Sequence, residues 1–142
     1  MQNSVASRKP AFGLMAAAFT PFHADGSLNL GPVEQQAERF TRQGLRGVFV
    51  CGSTGEGPAL TTAERMAVAK RWCEVGRDSL EIIIHVGHAS VEEARLLAAD
   101  AEKNGAAGIA ALPVPAATSR ITKVPFWRDR DPSPMPGRKT CT

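Results

Sequence analysis

The sequence predicts an α/β fold, a parallel sheet formed by about four strand–helix units and followed by an irregular C-terminal tail. Two patterns predict the sheet. Segments with apolar residues at helical spacing alternate with apolar runs that begin near residues 14, 47, 81 and 107. These runs are too apolar to have a solvated face, which is typical of parallel strands covered by helices. Six of the ten prolines fall within residues 113–136, so regular structure is not expected there.

The first unit begins with an apolar run closed by Thr-Pro, at residues 13–22 (GLMAAAFTPF), which predicts a buried strand. An Asp-Gly turn signal follows at residues 25–26. Pro32 suits the first position of a helix and Gly44 suits its C-terminal end. The apolar stripe of this helix consists of Val33, Ala37 and Phe40.

The second unit has a β-rich run at residues 47–51, which leads directly into a glycine-rich turn at residues 52–57. A helix is predicted at about residues 62–76, because Thr61 and Glu64 have the spacing of a capping box. Its apolar stripe consists of Val68, Trp72 and Val75. The local signals for this unit agree with one another.

The third unit repeats the pattern, with a near-continuous apolar strand at residues 81–87. Ser90 and Glu93 have the spacing of a second capping box, and Asn104-Gly105 ends the helix. Its buried stripe consists of Ala94, Leu97, Ala98 and Ala101. The fourth strand is predicted at residues 107–112, and no further helix is expected after it.

This βαβαβαβ order fits either a doubly wound sheet or part of a (β/α)₈ barrel. The chain has 142 residues, whereas a complete barrel takes roughly 250, so at most half a barrel is expected. We expect a disordered N-terminus at residues 1–10, the α/β unit at residues 11–113 and a disordered, proline-rich tail at residues 114–142. Residues 1–113 carry a net charge of −1 and residues 114–142 carry +4, so the basic character belongs to the tail.

Composition excludes several classes of protein. No apolar run reaches the roughly 18 residues of a membrane span, and no secretory signal is recognisable, so cytoplasmic residence is expected. The tail has no motif or interleaved aromatic pattern for nucleic acid, and no nucleic-acid partner is expected. The three cysteines, Cys51, Cys73 and Cys141, form no CxxC pair and are odd in number. Reduced thiols are therefore expected, with neither a disulfide framework nor a cysteine zinc site.

The turn after the second strand, residues 52–57 (GSTGEG), is the main candidate site. Ser53 and Thr54 place two hydroxyls among backbone N–H groups at the end of a strand, which suits a carboxylate or a phosphate. The turn lacks the lysine of a P-loop and the spacing of GxGxxG, so a nucleotide site is not expected. A tight turn whose hydroxyls satisfy the local backbone explains the residues about equally well. Glu56 could act as an acid or base, but a carboxylate bound into its own loop is the more frequent outcome.

Other reactive side chains are better explained by structure. His85 and His88 lie three apart on an extended segment without a third ligand, so no metal site is expected. His85 is interpreted as a satisfied strand histidine and His88 as a loop residue near a helix start. Cys51 has no identifiable base and is interpreted as a small buried residue. Ser53 does not lie in a GxSxG elbow, which argues against a hydrolase nucleophile.

Four segments together resemble the dihydrodipicolinate synthase and N-acetylneuraminate lyase family of class I aldolases: GLMAAAFTPF, DGSLNL, GVFVCGSTGEGPALTTAER and IIIHVGHASVEEARLLAADAEKNGAAGIAALP. The resemblance covers about residues 11–113 and implies the N-terminal half of a (β/α)₈ barrel. Ser53, Trp72 and the IIIHVG segment look more like the N-acetylneuraminate lyase branch than the synthase branch.

The resemblance implies a Schiff base between a barrel lysine and pyruvate, or the keto acid that releases it, with no cofactor. Ser53 and Thr54 would hold the pyruvyl carboxylate, and a tyrosine would move protons. The implied reaction cleaves N-acetylneuraminate into N-acetylmannosamine and pyruvate. A 4-hydroxy-tetrahydrodipicolinate synthase-like protein is the alternative within this family.

The chain departs from the family in its catalytic groups. It contains no tyrosine, and none of its five lysines matches the position of the Schiff-base lysine: Lys9, Lys70, Lys103, Lys123 and Lys139. We therefore identify no catalytic residue and expect this chain alone to be inactive, as a truncated or frame-shifted form would be. Half a barrel would expose a sheet edge and an apolar face, which predicts self-association. A non-catalytic interaction protein and an incomplete product without a stable fold remain alternatives.

Overall fold

The computed structural model describes residues 13–112, which form four strands, three α-helices and one short 3₁₀-helix. The predicted terminal segments, residues 1–10 and 114–142, lie outside the described residues. In chain order the elements are β1 (Met15–Ala17), α1 (Val33–Arg42), β2 (Gly47–Val50), the 3₁₀-helix (Gly57–Ala59), α2 (Thr62–Gly76), β3 (Glu81–His85), α3 (Val91–Lys103) and β4 (Gly108–Ala110). The predicted α/β order is confirmed.

The four strands form one parallel sheet in the order β1-β2-β3-β4. The order follows the chain without reversal, as in a (β/α)₈ barrel, whereas a doubly wound sheet reverses its order at a switch point. Val50 pairs with Ile84 across β2 and β3, and His85 pairs with Ala110 across β3 and β4. The C-terminal ends of the strands therefore meet at one edge of the sheet.

One face of the sheet is covered by the helices. Its side chains on β2 and β3, at alternate positions, are at most 1% exposed: Val48, Val50, Ile82 and Ile84. Trp72 on α2 is fully buried and stacks on Phe40 of α1, with ring centroids 6.1 Å apart. The hydrophobic core thus lies between the sheet and its helices.

The face of the sheet opposite the helices is exposed at β1, although the sequence predicted a buried first strand. In β1 the burial pattern is exposed, intermediate, exposed, and Met15 on this face and Phe19 just beyond the strand are 43% and 69% exposed. The prediction was wrong because β1 is an edge strand that pairs with β2 alone in the described sheet, and Met15 and Ala17 on its second face are exposed. The strand is also shorter than the apolar run that predicted it. The face opposite the helices, called the inner face here because it would line the inside of a complete barrel, therefore exposes apolar side chains, as expected for four strands of a barrel.

The helix boundaries follow the capping signals closely. Pro32 is the N-cap of α1 rather than its first residue, and Gly44 just beyond the helix has a φ of 71°. Helix α2 begins with the predicted capping box, in which Thr61 accepts from the Glu64 N–H and the Glu64 carboxylate accepts from the Thr61 N–H. Among the described residues, no helix is long and apolar enough to span a bilayer.

Helix α3 has only half of its predicted capping box. The Ser90 hydroxyl accepts from the Glu93 N–H at 3.4 Å. The Glu93 carboxylate does not reach back to the cap, because it accepts a 2.6 Å hydrogen bond from the Thr62 hydroxyl at the start of α2. The residue that sequence spacing assigned to a local cap therefore links two helices.

Candidate functional site

The glycine-rich turn lies between β2 and the 3₁₀-helix, at the edge where the strands end. Two backbone hydrogen bonds close it, from the Gly57 N–H to the Gly52 carbonyl at 2.9 Å and from the Glu56 N–H to the Ser53 carbonyl at 3.0 Å. The turn therefore folds back on itself, and Ser53 and Thr54 lie at its exposed tip.

Close packing with the sheet fixes the turn. A Cβ atom on Gly57 would lie 1.9 Å from the Cys51 carbonyl oxygen, and one on Gly55 would lie 2.9 Å from the Ala18 carbonyl oxygen. The buried Thr20 hydroxyl, three residues after β1, donates to the Gly55 carbonyl at 2.6 Å. Glycine is required at both positions because the neighbouring atoms belong to the backbone.

Two non-glycine residues with positive φ bracket the tip. Cys51 has a φ of 58° and Glu56 has a φ of 54°. Left-handed backbone costs an ordinary residue roughly 1–2 kcal/mol, and such strain is concentrated at functional sites. The turn is thus held in an unfavourable conformation by the packing around it.

The polar groups at the tip are available to a ligand. Ser53 and Thr54 are exposed, and within residues 13–112 their hydroxyls make no recorded hydrogen bond. The backbone N–H groups of Ser53, Thr54 and Gly55 donate to no carbonyl in the same part of the chain. The alternative in which the hydroxyls satisfy the local backbone is therefore not observed. Successive N–H groups without carbonyl partners are the type of donor set that can bind an anion.

Cys51 and Glu56 have different surroundings from each other. Cys51 is 1% exposed, and burial raises the pKa of its thiol to about 11. Its interpretation as a small buried residue is confirmed, since the thiolate needed for nucleophilic attack is disfavoured. Glu56 is exposed, and its carboxylate makes no recorded hydrogen bond within the described residues. The expectation that it is bound into its own loop was wrong.

A buried polar cluster that the sequence analysis missed lies beside the turn. Arg65 on α2 is 2% exposed and donates to the backbone carbonyls of His85 and Gly87 at the end of β3. His85 is 7% exposed, which confirms it as a buried strand histidine. The signal for Arg65 was available, because it precedes Val68 and Trp72 by three and seven residues on the apolar stripe of α2.

His88, Lys70 and Lys103 lie where the sequence placed them, whereas Lys9, Lys123 and Lys139 lie outside the described residues. His88 lies in the loop before α3, and its Nδ1 accepts from the Ser90 N–H at 2.9 Å. Lys70 lies on α2 with its side chain 64% exposed, 3.9 Å from the Glu74 carboxylate, and Lys103 is exposed at the end of α3. No group of three or more His, Cys, Asp or Glu side chains that could hold a metal occurs in residues 13–112.

Comparison with known proteins finds one matching family, together with relatives in sequence and in structure. The dihydrodipicolinate synthetase family matches residues 10–115. N-acetylneuraminate lyase from Pongo abelii is 41% identical over 107 residues, covering 74% of this chain and 33% of the relative. The structure of Proteus mirabilis N-acetylneuraminate lyase superposes with a TM-score of 0.68 at 37% identity, over 70% of this chain and 34% of that one. The structure of Rhodopseudomonas palustris dihydrodipicolinate synthase superposes with a TM-score of 0.69 at 35% identity, over 73% of this chain and 34% of that one.

The chain spans about a third of the length of the curated relatives it matches. Its sheet and helices correspond to part of the (β/α)₈ barrel of those enzymes, which confirms the predicted fold. The match includes the GSTGE turn and all four strands described above. This chain belongs to the dihydrodipicolinate synthetase family.

Proposed function

We propose that this chain is the carboxylate-binding part of a pyruvate-dependent class I aldolase of the N-acetylneuraminate lyase type. Ser53 and Thr54 hold the carboxylate of pyruvate, or of the keto acid that releases it. The observation that carries the proposal is the tip of the GSTGE turn, where two exposed hydroxyls accompany three N–H groups that donate to no described carbonyl.

The turn suits a carboxylate for physical reasons. Each oxygen of the ligand can accept from a backbone N–H and a hydroxyl, and charge-assisted hydrogen bonds of this type are stronger than neutral ones. The donors need no rearrangement on binding, because Thr20, Gly55 and Gly57 already fix the turn. Preorganised donors also stabilise charge that develops in the bound keto acid during the reaction.

We further propose that the chain contributes no imine-forming lysine from its described residues. A Schiff-base lysine must be desolvated to be nucleophilic near neutral pH. Lys70 is largely exposed, and Lys103 lies at the end of a helix on the covered side of the sheet. The sequence has no tyrosine to move protons at the reacting carbon. Cleavage of a sialic acid then requires groups that this chain does not supply.

A synthase-type substrate is the second candidate. It is favoured by the superposition on the Rhodopseudomonas palustris dihydrodipicolinate synthase, whose TM-score of 0.69 is similar to the 0.68 for the Proteus mirabilis lyase. Both candidates share the carboxylate site at Ser53 and Thr54. We favour the lyase because N-acetylneuraminate lyases from several vertebrates are 37–41% identical to this chain.

The exposed inner face supports a proposal about assembly. Met15, Phe19 and Leu112 are 43%, 69% and 63% exposed, and β1 and β4 are the two open edges of the described sheet. Unpaired edges and apolar faces promote association. We propose that the chain self-associates through this surface. Sedimentation velocity of the chain and of a Met15→Asp, Phe19→Asp variant tests this, and a monomeric wild type would contradict it.

Calorimetric titration with pyruvate tests the carboxylate site. We expect binding by the wild type and its loss in the Ser53→Ala, Thr54→Ala double variant. Thr41→Ala is the matched control, because it removes a hydroxyl that donates only to the Ala37 carbonyl of its own helix. Pyruvate binding that survives in the double variant would refute the assignment.

A trapping experiment tests the catalytic part of the proposal. Borohydride reduction of the chain in the presence of pyruvate, followed by mass spectrometry, detects any lysine imine. We expect no adduct and no cleavage of N-acetylneuraminate. An adduct on any of the five lysines, with turnover, would show that this chain is itself a complete catalyst.

A further inference from the structure

Arg65 is a buried cation whose partners are neutral. Its guanidinium donates from one terminal nitrogen to the Gly87 carbonyl at 3.0 Å and from the other to the His85 carbonyl. None of the ion pairs recorded within residues 13–112 includes Arg65. Its Nε is buried without a hydrogen-bond partner in that region. Burial without a carboxylate is costly, so such an arrangement requires a reason in the surrounding structure.

The imidazole of His85 lies between two hydrogen-bond donors. Its Nδ1 is 3.3 Å from the second terminal nitrogen of Arg65, and its Nε2 is 3.3 Å from the backbone nitrogen of Leu112. A neutral imidazole has one acceptor nitrogen and one N–H, so only one of these contacts is a hydrogen bond. An imidazolium would turn a second N–H toward a donor and place two cations side by side. The ring is therefore neutral.

The guanidinium decides which nitrogen accepts. A hydrogen bond from a cation is about twice as strong as one from a neutral amide. The Nδ1 lone pair therefore faces Arg65, and the proton lies on Nε2, close to the end of β4. Burial and then the charge of Arg65 lower the pKa of His85.

The cluster connects the strand ends around the turn. A Cβ atom on Gly87 would lie 2.9 Å from His85 Nε2 and 3.2 Å from the Leu112 carbonyl oxygen, so the segments that follow β3 and β4 lie close together beside the ring. The Cys51 thiol, at the start of the turn, donates to the Arg65 carbonyl at 3.9 Å. Arg65 thus contacts the segments that follow both β2 and β3.

We propose that Arg65 is a positioning residue, which holds His85 as the neutral Nε2–H tautomer and, through the His85 and Gly87 carbonyls, fixes the end of β3 beside the Ser53–Thr54 turn. The groups that face the imidazole from the surrounding elements are Arg65 from α2, the Cys51 backbone after β2, the Phe49 ring of β2 and the Leu112 N–H after β4. Any effect on pyruvate affinity rests on the proposed function, whereas the tautomer does not.

Ring-nitrogen NMR of the ¹⁵N-labelled full chain tests the proposal without any ligand. The chain has three histidines, and His23 and His88 serve as internal references. We expect the shift pattern of a neutral Nε2–H ring for His85 at neutral pH, with protonation only below the ordinary pH range of a histidine. A protonated ring, or the Nδ1–H tautomer, would overturn the assignment even if no variant folds.

Two matched variants separate the role of Arg65 from general destabilisation of α2. Arg65→Met is expected to move the titration midpoint of His85 upward and to mix its tautomers. Arg71→Met removes an arginine of the same helix that pairs with Glu34 at 2.9 Å, and it is expected to leave His85 unchanged. An unchanged His85 in Arg65→Met, or an equal shift in both variants, would refute the proposal. With pyruvate added, weaker binding in Arg65→Met alone would extend the effect to the turn.

Discussion

Gly57→Ala is the substitution that most sharply tests how the turn is held. The new methyl group would lie 1.9 Å from the Cys51 carbonyl oxygen and 2.7 Å from its carbonyl carbon. Relief to an ordinary contact of 3.4 Å requires a displacement of about 1.5 Å. Because these atoms belong to the backbone after β2, no side-chain rotation can provide the space.

The expected cost follows from this geometry. Overpacking of a rigid site costs typically 1–3 kcal/mol and sometimes more, and we expect the upper part of that range. We also expect the Ser53 and Thr54 amides to shift in the NMR spectrum, because the turn must move. Urea unfolding gives the free energy, and the amide shifts report the displacement.

Gly105→Ala is the matched control for this experiment. Gly105 has a φ of 78° and nothing within 4 Å of its Cβ position, so alanine there meets only backbone strain. We expect a loss of roughly 1–2 kcal/mol with no change at Ser53 and Thr54. A Gly57→Ala chain with wild-type stability and unchanged turn amides would refute the account of the packing.

Three further predictions concern the turn and its supports. Thr20→Val leaves the Gly55 carbonyl without its 2.6 Å hydrogen bond, and we expect a loss of about 1–3 kcal/mol in urea unfolding that Thr20→Ser largely restores. Cys51 is expected to resist alkylation at pH 8 in the native chain and to react quickly once the chain is unfolded, because burial raises its pKa to about 11; rapid native labelling, mapped by mass spectrometry, would contradict this. Thr61→Ala removes the hydroxyl that accepts from the Glu64 N–H, and about 1 kcal/mol of stability should be lost on thermal unfolding, whereas an unchanged midpoint would argue against the capping box.

Local signals predicted most of the fold. Apolar runs located β2, β3 and β4 to within a few residues, and the Thr61–Glu64 spacing located the first residue of α2. These features depend on neighbours within a few positions, so the sequence contains the information needed. The turn was also recognisable, because glycines and hydroxyls follow directly after an apolar run.

Features set by distant contacts were not predictable from local pattern. Glu93 has the spacing of a cap but bonds to Thr62, which is 31 residues away. The 3₁₀-helix after the turn has no strong signal in its Gly-Pro-Ala sequence. The exposure of the first strand depends on which elements cover the sheet, and an apolar run alone does not specify that.

The most direct test of the central claim is a ¹H–¹⁵N NMR titration of the full chain with pyruvate and, separately, with its methyl ester. The two ligands share the keto group and differ in the carboxylate charge. If the turn holds a carboxylate, pyruvate shifts the amides of Ser53, Thr54 and Gly55 in a saturable manner, and the ester leaves them unmoved. Equal responses to both ligands, or a pyruvate response elsewhere in the chain, would contradict the claim that this turn is the carboxylate site.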